Sequence, residues 1–161
     1  MRYLLDANVL MQARRLHYNP DYCPGFWEWL TQEHGHGRIF SIAAVLTEIR
    51  RGHDNLYELL PRDFFLRPPD EIGPALAEVS QWVERLPCNE ARKNEFLSGA
   101  DYHLVAQAKC SSYVVVTHEK SVPENQGGKI RIPNACAAVG ATSVNLWDLL
   151  RERGARFILG A

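Results

Sequence analysis

The chain has 161 residues, 46% of them hydrophobic and 23% charged, with a formal charge of −1. Those proportions describe one ordinary globular domain, residues 1–161, long enough to bury a sizeable core. No stretch approaches the roughly eighteen consecutive apolar residues of a spanning helix, and the near-zero charge argues neither for nor against a nucleic-acid partner.

Cys23, Cys88, Cys110 and Cys136 are widely spaced and offer no CxxC pair, so they read as small apolar residues in a reducing compartment rather than as zinc ligands. Tyr3–Leu5 has the look of a buried strand, which Asp6 interrupts too early for a signal peptide. A cytoplasmic protein is therefore expected. Asn8 is placed to cap a helix from Val9 to about Leu16. Turn residues follow, and then Phe26, Trp27 and Leu30 share the inner face of a second helix ending at Gly35 or Gly37. Ile39–Ile42 reads as a second strand, followed by a helix that stops at Gly52 after Arg50 and Arg51.

Asp70 is expected to cap a longer helix carrying Ile72, Leu76, Val79, Val83 and Leu86, which Pro87 ends. Asn89–Glu95 reads only as a polar stretch. Ser98 is expected to cap a helix with Leu104, Val105 and Ala108 inside, Val114–Val116 is a clear buried strand, and Ser121–Lys129 reads as a mobile loop. Ser143–Asn145 is a weaker last strand before a helix at Leu146–Arg153. Strands alternating with helices define a parallel sheet covered on both faces.

Four carboxylates fall where such a fold gathers chain-distant loops: Asp6 after the first strand, Glu48 in the helix after the second, Asp101, and Glu119 after Val114–Val116. Two carboxylates 4 Å apart repel by about 4 kcal/mol at an effective dielectric near 20, so a fold that collects them has use for a divalent cation. Each has a plainer reading. Ser98-x-x-Asp101 fits a capping box, Glu48 fits a solvated helix face, and Glu119 fits a polar strand end. Asp6 is the hardest to explain away, because an acid next to a buried strand needs a partner. His103 and His118 stand beside these acids. No Gly-x-Ser-x-Gly elbow, GxGxxG or Walker loop is present.

The segments Leu4–Leu10, Val45–Ile49, Ser98–Ala106 and Val114–Lys120 together resemble the PIN-domain nucleases. With Phe26–Leu30, Lys129–Pro133 and Asn145–Leu150 they are similar to a little-characterised branch near the VapC-type toxins. The resemblance implies a three-layer α/β/α sandwich and acids that hold Mg2+ or Mn2+ for hydrolysis of RNA phosphodiesters. Carried over, Asp6 and Asp101 would be principal ligands, with Glu48 a ligand or an orienter of water. Glu119 stands where many members have aspartate. Asn8, Thr117, His103 and His118 would be polar groups behind the ligands. Lys120, next to Glu119, is the first candidate for a phosphate contact, ahead of the pairs Arg14-Arg15, Arg50-Arg51 and Arg92-Lys93 and of Lys129 and Arg131. The partners implied are RNA, a cognate antitoxin protein and a second copy in a homodimer, with no membrane. A housekeeping RNA-processing nuclease and a non-catalytic interaction module are the alternatives.

Overall fold

The computed structural model describes residues 1–124 and 127–160, so positions 125 and 126 of the loop expected to be mobile lie outside the described residues. Five short parallel strands form the centre: β1 (Tyr3–Leu5), β2 (Ile39–Ile42), β3 (Phe65–Leu66), β4 (Val114–Val116) and β5 (Thr142–Val144). Their order is β3-β2-β1-β4-β5. Helices cover both faces, giving the three-layer α/β/α architecture expected from the alternation. They are α1 (Ala7–Gln12), α2 (Pro24–Gly35), α3 (Ala43–Arg51), α4 (Gly73–Glu84), α5 (Glu90–Ser98), α6 (Ala100–Ser111), α7 (Ile132–Ala138) and α8 (Leu146–Glu152).

β1 and β4 are buried along their whole length, as strands covered on both faces must be. The register sets Leu5 level with Val116. From β1 the chain builds outward to β2 and β3, then returns to lay β4 on the other side of β1. The gap beyond the carboxyl ends of β1 and β4 is thus the topological switch point, the crevice where open α/β sheets hold their ligands. Asp6 leaves one side of it and Thr117 the other. One continuous core, with Tyr3, Phe26, Phe64, Leu10 and Leu104 among its fully buried side chains, underlies these edges.

Several local readings change. The residue that opens α1 is Asp6, not Asn8, which lies inside the helix; the Asp6 side chain makes no cap bond because it turns toward Thr117. The stretch after Pro87 is helix α5, capped by Asn89, whose Oδ1 accepts the Arg92 amide at 3.0 Å. Asp70 opens a 3₁₀ turn rather than the long helix, which begins at Gly73 and ends before Leu86. Asn145 lies outside β5 and caps α8 through the Asp148 amide. The Ser121–Lys129 loop is tied near its start, where Val122 exchanges two hydrogen bonds with the Asn134 side chain.

Ser112 ends α6 at φ 56°, a left-handed conformation that a Cβ disfavours by about 1 kcal/mol. Ser112→Gly is therefore expected to raise the melting temperature by a few degrees, checked by thermal denaturation. A lower melting temperature would mean that the serine side chain contributes more than the strain costs.

Candidate active site

Asp6 is 2% exposed, with Oδ2 accepting the Thr117 hydroxyl at 3.0 Å. Its carboxyl is pushed up to about 8, first by burial and then by the charge of Asp101, with Glu119 and Glu48 adding to it and the Thr117 bond opposing. Asp101 stands in the first turn of α6 and is pushed up to about 6 by burial and by Glu119, against the pull of Lys129. Glu48 belongs to an exposed stretch of α3. Its carboxyl is nevertheless raised by partial enclosure, with Lys129 and Arg51 pulling it down. Asp6 and Asp101 thus both feel the charge of Glu48 and Glu119, acids distant in sequence, at the switch point.

The capping-box explanation of Asp101 fails. Ser98 closes α5, its hydroxyl donating to the Asn94 carbonyl at 2.7 Å, and Gly99 is the residue that opens α6. Gly99 carries the chain from one helix to the next without a loop, and an added Cβ there would meet the Glu95 carbonyl at 3.3 Å. Asp101 is free of any capping duty to Ser98.

Glu119 is committed. Its Oε1 receives the Lys129 ammonium at 2.5 Å and its Oε2 the Ile132 amide at 2.7 Å. Its own amide donates to the Thr117 hydroxyl, which in turn donates to Asp6. Thr117, 1% exposed, therefore joins the two acids through one oxygen.

A cavity of about 530 Å³ opens in front of this network, walled by Glu48, Asp101, His103, Arg51, Arg92 and Lys129 among others. Asp6 is buried and does not line it. Lys120 is exposed and is not among the lining residues, while the cations that do face the cavity come from α3, α5 and the loop before α7. Lys93, adjacent to Arg92, turns inward instead and donates to the last-turn carbonyl of Glu84 at 2.8 Å. Arg14 and Arg15 sit in or beside a π-helical turn, Ala13–His17, and Arg15 pairs with Asp54. His118 leaves the acids for an aromatic group with His17 and Trp147, its Nε2 buried without a partner and its pKa lowered by burial. Asn8 is half-buried in α1.

The oxygen-only donor set suits a hard divalent cation. Among the described residues, no three His, Cys, Asp or Glu side chains are gathered into a ready-made metal centre. Mg2+ characteristically uses one or two carboxylates and keeps its waters, completing its shell with substrate phosphate rather than with a full protein cage. Asp6 and Asp101, each raised by burial and by other carboxylates of the cluster, fit that pattern, with Glu48 nearby. The four cysteines are unpaired, and Cys136 is pushed up to about 12 by burial, which leaves it inert. No helix among the described residues is long and apolar enough to cross a membrane.

A parallel α/β domain with a carboxylate cluster at its switch point is the class that fold and site define. The chain belongs to a domain family of unknown function, DUF4411, whose family profile covers residues 3–157. No curated protein and no solved structure matches it.

Proposed function

We propose that the chain is a metal-dependent endoribonuclease of PIN type, hydrolysing RNA phosphodiester bonds with Mg2+ or Mn2+ held by Asp6 and Asp101 and assisted by Glu48. The observation that carries this reading is the pair Asp6 and Asp101, whose carboxyls are raised to about 8 and about 6, first by burial and then by neighbouring carboxylates of the cluster, behind a cavity that Arg51, Arg92 and Lys129 help to line. A bound divalent ion would neutralise that repulsion, polarise the phosphate and activate a water. Thr117 fixes the rotamer of Asp6, and α6 presents Asp101 from its rigid first turn. Arg51 gives the cavity positive charge to meet a polyanion, while Arg92 beside it is paired with Glu95 at 3.0 Å. Action in the cytoplasm as the toxin of a toxin–antitoxin pair, with a cognate antitoxin and a homodimeric state, rests on the family resemblance. The rival reading is a non-catalytic interaction module, in which the same acids bind no metal.

Purified protein incubated with end-labelled RNA decides between them. Cleavage is expected with Mg2+ or Mn2+, none with EDTA, and at least about a hundredfold less for Asp101→Asn. Cleavage that resists chelation would overturn the metal mechanism. No cleavage under any condition would favour the module. The toxin role is read separately, as growth arrest on inducing the wild-type chain but not Asp101→Asn.

A further inference from the structure

Lys129 faces the cavity and is bonded directly to an acid of the cluster, Glu119. Its ammonium has three N–H donors, of which the bond to Glu119 takes one. The side chain is 39% exposed, against 6% for the glutamate that holds it. Glu119 cannot swing away to serve another ligand without breaking its bond to the Ile132 amide at the start of α7. With the lysine side open to solvent, screening limits what such a pair adds to stability. Its geometry is better suited to presenting a charge: one donor anchored, the remaining ones open to the space in front of Asp101 and Glu48.

The geometry points to Lys129 as the phosphate-binding residue of this site, with Glu119 as the positioning residue that holds it there rather than as a metal ligand. This rests on the ribonuclease reading, and it replaces Lys120, whose exposed side chain lies outside the cavity wall, with a lysine nine positions further on. Both ends of the anchor are fixed by backbone: Glu119 through its amide on Thr117 and Lys129 through the short run to Ile132. An incoming phosphodiester oxygen would then meet a fixed ammonium beside the carboxylates that the metal needs.

Binding of a fluorescein-labelled single-stranded RNA of about 20 nucleotides, in EDTA and across a salt series, tests this without requiring cleavage. Lys129→Met is expected to weaken binding about tenfold and to lower the slope of log affinity against log salt by about one. Lys129→Arg is expected to restore both. The double variant Glu119→Gln with Lys129→Met carries no lone buried carboxylate, so it keeps the test valid should the single variant unfold; it is expected to bind as weakly as the single one. Lys109→Met, in the last turn of α6 and some 12 Å along the helix from Asp101, is the control expected to bind as wild type. RNA binding indifferent to Lys129→Met and to the double variant would overturn the proposal and leave the nuclease reading standing. No RNA binding by the wild type would overturn both, and binding through Lys129 without metal-dependent cleavage would overturn the nuclease reading alone.

Discussion

Asp6→Asn is expected to make the chelated protein more stable at pH 8 while abolishing cleavage. The Asp6 carboxyl is raised from an ordinary value near 3.8 to about 8 in the fold, so the fold accepts its neutral form. Below about pH 4 the group is protonated whether the chain is folded or not, and its contribution is fully present. Between about pH 4 and 8 unfolding releases a proton, so stability drains away as pH rises. Asparagine stays neutral throughout and still offers a carbonyl to the Thr117 hydroxyl, and no helix cap is lost because Asp6 makes none. The gain should be on the order of 2 kcal/mol at pH 7, or about 4–8 °C in melting temperature. Thermal melts in EDTA at pH 5 and pH 8 check it: the two proteins should differ little at the lower pH and clearly at the higher. A variant less stable than wild type at pH 8 would show that the fold depends on an ionised Asp6, contrary to the crowding described here. Stability gained where activity is lost is the signature of an acid kept for chemistry rather than for the fold.

Leu104→Ala is expected to produce the largest loss of stability among single core substitutions near the site. Leu104 is fully buried on α6, the helix that packs against α3, α4, α5 and α7. Truncation there should cost about 2–5 kcal/mol, the removed methyl groups and the cavity together. The melting temperature should fall by about 5–15 °C. Leu104→Met, which nearly conserves volume, should lose less than about 1.5 kcal/mol. Because Leu104 stands one turn after Asp101, cleavage at a temperature where the variant is folded reports how firmly α6 holds that acid. An unchanged melting temperature would mean that the neighbouring helices close the gap.

What the sequence makes legible follows from how local the signal is. Tyr3–Leu5 and Val114–Val116 are continuous apolar runs with an acid or a polar residue just beyond, so both central strands and the placing of Asp6 can be read directly. Helix α5 cannot: it buries only Lys93 and Phe96, and the stem of a lysine leaves no apolar periodicity. Strand β3 has two residues and takes its identity from pairing with Ser41 and Ile42. Helix α7, made largely of small residues, goes unread in the sequence, its one local signal being Pro133 near its start. The Ser98-x-x-Asp101 spacing imitated a capping box, and only the tertiary fold assigns Ser98 to the end of the preceding helix. The bond between Lys129 and Glu119 joins positions ten apart in the chain and has no local signature at all. Pairings of that kind are decided by where loops close, not by what each residue prefers.

The outermost strands bear on self-association. At one edge of the sheet stands β3 with two residues, and at the other β5 with three, its first residue exposed. Edges this short are how sheets avoid being extended by a neighbour, since an added strand would gain only a few hydrogen bonds. Two copies of this chain joining edge to edge into one continuous sheet would have little to hold them, so a stable homodimer has to be built from helix surfaces. The carboxyl edge of β1 and β4, where the proposed RNA substrate would enter, would then stay open in each copy only if those surfaces are chosen away from α3 and α6.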